Sequence, residues 1–553
     1  YNDAAIAVFT RLGSESNDTA MFGKDGSHFL GLQANEKDLM SYLKAQKAAG
    51  VFKKIVVIIN ADQMMELDWL DDYDVDACVL AGVPGVIGYE GVANVLAGKV
   101  SPSGHLVDTY AANSMSAPAA TYACENMQLW GNVDYVNSKA TDLSNDGINV
   151  DYYTICAEGI YVGYKYYETR YEDAVMGSGD ASSSVGSSTG NGWNYADEVV
   201  YPFGYGLSYT DFTQTLKGVT FNADTDNYEV EVEVTNTGDV AGKSVVEVYA
   251  QTPYGDYEKQ NSIEKSAVQV VGFEKTDTLE PGQSQTVTVE CERYMLASYD
   301  AKGAKGYILS AGDYYLSVGD DSHDALNNIL AAKGYTVAST NGKMTADGSA
   351  DLTYSWTEDA LDTTTYSTSE NGTEIVNHLS CADPNLYDGE SNTVTWLSRS
   401  DWNGTLPTET VKLVLTEQLK KDLQDVRYNA ADYETMNLPT MGKTNGVTLY
   451  EMIGLDYDDP KWENLLDELT FDEMNTLISD AFHWTMPVKS IEAPGTRDEN
   501  GPQGLTASLL GSGATQLTAT AFTSEDVMAA TFNTDLMTAV GTIIGNNCLS
   551  ANI

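Results

Sequence analysis

The run Arg11–Asp18 (RLGSESND) sets Glu15 in a polar loop directly behind a short apolar run, Ala4–Phe9 (AAIAVF). In sheets built from strand–helix alternation, functional residues collect just past the carboxyl ends of strands. A carboxyl group in a loop that closes on a ligand loses water, its pKa rises, and it can act as a general acid. The same letters are also ordinary for a solvated surface loop. A second polar cluster, Asp498-Glu499-Asn500-Gly501, can donate and accept hydrogen bonds to a hydroxyl-rich ligand through Asn500 and Asp498, or can be a plain Asn-Gly turn. Trp69, in Met65–Leu70 (MELDWL), has two readings, a cleft wall or a core residue. Asp401, in Ser400-Asp401-Trp402, lies in a polar stretch with no apolar strand leading into it, which argues against a catalytic role.

Other chemistries find little support. No GxGxxG or P-loop pattern follows a strand-like run. The five histidines lack metal-ligand spacing, so neither a metal nor another cofactor is expected. Six cysteines (78, 124, 156, 291, 381 and 548) are scattered without a CxxC, which reads as isolated thiols rather than a disulfide framework. The formal charge is −51, from 81 acidic and 30 basic residues. That field repels phosphate backbones, so no nucleic-acid partner is expected. The acidity suits a solubilising surface and leans the reading toward an extracellular or cell-envelope bacterial protein. No run approaches the ~18 apolar residues of a membrane span.

The elements that must position these residues change character along the 553-residue chain, which is long enough for several domains. Residues 1–112 alternate strands (Ala4–Phe9, Lys54–Asn60, Ala77–Ala81) with a helix that stops at Gly50, the pattern of a parallel sheet. Residues 113–200 read as an irregular, aromatic-rich insertion, and its Gly/Ser stretch Met176–Trp193 as a mobile loop. From 213 the period becomes two: Tyr228–Val234 (YEVEVEV) alternates strictly between turn signals, as in an antiparallel sandwich. Residues 326–449 read as a polar linker or extension. Helical signals follow, with a capping box at Thr470–Glu473 opening one of them.

Four stretches, taken together, resemble one family. They are Arg11–Asp18; Met65–Leu70; Ala81–Gly85 with Ser101–Gly104 and Asp108–Tyr110; and Glu158–Tyr164 answered by Tyr201–Tyr209 (YPFGYGLSY). In this order they resemble the second, α/β-sandwich domain of glycoside hydrolase family 3. Val234–Tyr249 and Val271–Ser284 resemble that family's fibronectin type III-like domain. Trp462–Leu477, Asp498–Leu505 and Ala529–Asn533 resemble the opening of its TIM-like barrel, which normally comes first.

The resemblance implies a permuted, multidomain chain. Its parts are an α/β sandwich with a mainly parallel sheet (1–212), a fibronectin type III-like sandwich (213–325), the extension (326–449) and the opening part of a (β/α) barrel (450–553). It further implies a retaining, exo-acting β-glycosidase, β-glucosides foremost, with a β-linked oligosaccharide or glycoside as substrate and Glu15 as acid/base. Asn500 stands where many members carry an Asp that binds sugar hydroxyls, and Gly13-Ser14 reverses the usual Ser-Gly. Both ends read as trimmed, with the nucleophile expected beyond Ile553. The alternative is a non-catalytic carbohydrate-binding or interaction protein derived from such an enzyme. Homo-oligomerisation stays open.

Overall fold

The computed structural model describes residues 3–13, 19–122, 128–138, 152–379, 383–386, 393–419, 437–480, 484–497, 501–505 and 519–551. They fall into two compact units, one of residues 1–84, 89–424 and 526–533, the other of residues 85–88, 425–525 and 534–553.

The first unit begins with the expected strand–helix alternation. Strands β1 (Ala4–Thr10), β2 (Lys54–Asn60) and β3 (Ala77–Leu80) pair in parallel in that order, Ala4 opposite Lys54 and Val56 opposite Ala77. Helix α1 (Ala34–Ala48) buries Met40 in the same core cluster as Ala7, Phe9, Ile55, Val57 and Ile59. These strand residues alternate with others, so one face of the sheet carries that core. On the opposite face of β1, Ile6 and Val8 stay exposed.

The period-two segments form an antiparallel sandwich. One sheet is ordered Ser284–Glu292, Asn227–Asn236, Phe212–Asn222; the other is ordered Gln269–Lys275, Val245–Gln251, Gly312–Gly319, Thr353–Glu358. Val230, Val232 and Val234 face inward at every second position, meeting Val246, Val248 and Leu316. The last strand of the second sheet lies beyond the boundary at 325, which itself falls inside the helix Ser322–Ala332.

Two stretches whose composition promised looseness are packed. Helix Tyr164–Met176 is buried almost throughout, and its Arg170, fully buried, donates to the carbonyls of Ala181 (3.0 Å), Ser183 (3.2 Å) and Val185 (2.7 Å). The Gly/Ser stretch therefore wraps a guanidinium that needs carbonyl acceptors, instead of hanging free. Within 326–449, Arg399 pairs with Glu172 (2.9 Å) and Asp173 (2.6 Å), and the fully buried Trp402 donates to Asp173 at 2.9 Å. Met344, Val394, Leu397 and Leu406 of this segment are buried as well. Asp401 accepts from the backbone of Gly404 (2.9 Å) and caps the short helix Trp402–Thr405, a structural job for the Ser-Asp-Trp motif.

In the second unit, helices Lys461–Leu466 and Phe471–Ser479 pack around Met452, Leu465, Leu469, Val488 and Ile491. Thr470 and Glu473 form the anticipated capping box, and the chain breaks between the two helices just before Thr470. Trp484–Thr485 pairs antiparallel with Thr496–Arg497, and no barrel sheet closes among the described residues.

Candidate active site

Arg11, which follows β1 immediately, stands four residues before Glu15 in the sequence. Arg11 is only 6% exposed, and all five of its N–H donors are used. It grips Glu36 with both terminal nitrogens, each at 2.8 Å, and donates to the carbonyls of Gly31 (2.6 Å), Thr10 (2.8 Å) and Phe29. Glu36 also accepts from the backbone of Gln33 at 2.9 Å, in the first turn of α1. One guanidinium thus fixes the end of β1, the strap of residues 29–31 and the start of α1. A bidentate pair of this kind sets direction as well as distance.

Beyond Arg11 the two described edges of the loop meet. A Cβ on Gly13 would lie 2.3 Å from the Thr19 hydroxyl and 2.7 Å from the Gln63 amide, so a larger residue there would make both side chains shift. Gln63, just past β2, donates to the Gly13 carbonyl at 3.3 Å. Glu66 is 7% exposed and accepts from the Ser114 backbone and hydroxyl, both at 2.8 Å, with His28 at 3.3 Å. Burial, then the nearby Glu66 charge, raises the pKa of Asp68.

Of the residues singled out in the sequence, Glu15, Asp498 and Asn500 lie outside the described residues. Trp69 is described, 6% exposed, edge-on to Phe9 (5.5 Å) and Tyr73 (6.2 Å), and its indole N–H is spent on the Glu66 carbonyl at 2.7 Å. With both ring and N–H engaged, Trp69 takes the core reading and not that of a cleft wall. Glu36 and Gln63 escaped the sequence reading. A glutamate three residues into a helix is a capping signal, but Gln33 is an unusual partner for it. Gln63 carried no signal at all.

A parallel sheet with a polar loop at its carboxyl end, followed by an antiparallel sandwich, defines a class that comparison makes specific. Residues 1–209 match the glycosyl hydrolase family 3 C-terminal domain, and residues 244–322 the fibronectin type III-like domain. Similar proteins include a β-glucosidase of Ruminococcus albus, 30% identical over 59% of this chain and 28% of that protein. β-Glucosidase A of Butyrivibrio fibrisolvens is 28% identical over 59% of this chain and 36% of that protein. The crystal structure of a β-glucosidase from Paenibacillus barengoltzii covers 100% of this chain and 50% of its own at 22% identity, with a TM-score of 0.63, a likeness of fold. Residues 1–209 thus carry a glycosyl hydrolase family 3 C-terminal domain, and the chain spans only about a third of these curated relatives' lengths.

Proposed function

We propose that the protein is a retaining, exo-acting β-glycosidase, with β-glucosides its first substrates and Glu15 its acid/base. The observation that supports this most is the Arg11 clamp: five hydrogen bonds hold the root of the one loop that carries a glutamate in the family's position. In the first step the Glu15 carboxyl gives its proton to the glycosidic oxygen while a second carboxylate, about 5–5.5 Å away in such enzymes, attacks the anomeric carbon. In the second step the Glu15 carboxylate takes a proton from the water that releases the sugar. Asn500 and Asp498 hold sugar hydroxyls. The names of the β-glucosidase relatives support the choice of sugar.

The test is leaving-group dependence in the full-length protein. Glu15→Ala should slow hydrolysis of cellobiose and alkyl β-glucosides by on the order of 10²–10⁴, while the first step with a strongly acidic phenol is spared. Near-normal turnover of cellobiose by that variant would return Glu15 to a surface loop. No hydrolysis by the wild-type protein of any β-glycoside offered would favour the non-catalytic binding role.

A further inference from the structure

A cavity of about 340 Å³ opens in the first unit, where the α/β part meets the sandwich. That is the size range of small-molecule sites. Its apolar wall includes Met64 and Leu80, which follow β2 and end β3. Its polar wall gathers Asp108, Lys275 and Asp526 from three separate stretches of chain.

None of these three polar groups is saturated. The Lys275 ammonium donates to the carbonyls of Ser103 (2.7 Å) and Thr531 (2.6 Å), leaving one of its three N–H groups for another acceptor. Burial, and then Lys243, push that ammonium down to about 8, and burial pushes the Asp108 carboxyl up. Asp108 accepts from the Thr109 backbone at 2.7 Å with one oxygen. Asp526 carries a carboxylate oxygen that is buried with no hydrogen-bond partner among the described residues. An acceptor left bare in this way is destabilising, so a donor belongs beside it. A metal ion does not fit: among the described residues no three carboxylate, histidine or cysteine groups come together as ligands. A neutral polyol does fit. Its hydroxyls donate to carboxylates and accept from an ammonium, and its C–H face covers aliphatic side chains.

We infer that this cavity is a saccharide-binding site that takes one hexose-sized sugar, with hydroxyls on Asp108, Lys275 and Asp526 and its C–H face on Met64 and Leu80. Choosing a sugar over other polyols rests on the glycosidase reading above.

The experiment is equilibrium dialysis of labelled glucose against the full-length protein in four forms: wild type, Glu15→Gln, Asp108→Asn and Ala530→Leu. Ala530 lines the cavity, and a leucine there fills it. Two classes of glucose site per chain are expected in the wild type and in Glu15→Gln. Asp108→Asn should weaken one class about tenfold, the usual worth of a hydrogen bond to a charged group. Ala530→Leu should abolish that class. Asp108→Asn is nearly isosteric, so it keeps the test decisive if Ala530→Leu does not fold. A single class of site, or a second class that ignores a folded Asp108→Asn variant, overturns the proposal. The two readings separate because wild-type hydrolysis is measured on its own. A sensitive second class in a protein that hydrolyses nothing keeps the cavity and sinks the glycosidase. Hydrolysis without a second class does the reverse.

Discussion

Two arginine–carboxylate pairs do different work in this molecule. At the root of the Glu15 loop, Arg11 grips Glu36, whose side chain keeps 17% of its exposure, and the remaining donors go to backbone carbonyls around a strand end. At the junction with the sandwich, Arg399 meets two carboxylates, Glu172 and Asp173, with every partner at most 6% exposed. Lys333 adds a second cation to Glu172 at 2.7 Å. The first pair is local, 25 residues apart, and ties the end of β1 to the start of α1. The second joins positions 226 and 227 residues apart and closes the unit on itself. Bidentate geometry serves direction in one place and long-range closure in the other.

The largest expected effect comes from breaking the junction. Arg399→Met leaves the buried Asp173 without a cation and Glu172 with Lys333 alone, and should cost about 3–5 kcal/mol, measured by urea unfolding. The kcat of the molecules that remain folded should hold. A stability loss within 1 kcal/mol would mean the pair is weaker than its burial implies.

Next in size is an acid effect at the same junction. Burial opposes the Glu172 charge, but Lys333 and Arg399 outweigh it and hold the carboxyl at about 2. The unfolded value is near 4.3. A group whose folded pKa is depressed stabilises above its unfolded pKa, and that contribution fades as pH falls from about 4.3 toward 2. Asp321, at the head of helix Ser322–Ala332, runs the other way: burial raises it to about 7 against an unfolded value near 3.9. The folded form holds that proton longer, so stability is lost as pH climbs from about 4 to 7. Asp321→Asn keeps the caps to His323 and Asp324 and removes the charge, so its unfolding temperature should exceed that of wild type at pH 8 but not at pH 4. Equal shifts at both pH values would contradict this.

Smaller in stability but larger in function is Arg11→Lys. An ammonium has three donors where the guanidinium used five, so about 1–3 kcal/mol should go. Misplacing the loop should lower kcat/KM by on the order of 10–100-fold. The contrast with Arg399→Met is the point: stability falls most at the junction, activity most at the loop. Both variants losing the two properties in proportion would erase the distinction.

Much of the frame was legible because it is written locally. The alternation in Tyr228–Val234 became the strand Asn227–Asn236, the apolar runs became β1 to β3, and Thr470 capped its helix three residues from Glu473. What stayed hidden depends on partners far along the chain. Nothing beside Arg399 or Trp402 announces Asp173, and nothing in Met176–Trp193 tells that Arg170 will collect its carbonyls. Asp401, set aside as catalytic because no apolar strand leads into it, is the N-cap of a short helix, a role its neighbours did not announce. The pattern around Glu15 was legible in the letters, whereas Glu36, the partner of the neighbouring Arg11, became visible only in space.

The proposed role of Glu15 is open to one direct measurement. Full-length Glu15→Ala is mixed with a β-glucoside of a strongly acidic phenol, with and without azide. The first step should proceed without acid help, and the glycosyl-enzyme should then stall because no base activates water. Azide needs no deprotonation, so it should restore phenol release and leave β-glucosyl azide, the retained anomer, as product. No rescue by azide, or an α-glucosyl azide, would contradict the assignment of Glu15 as the acid/base of a retaining enzyme.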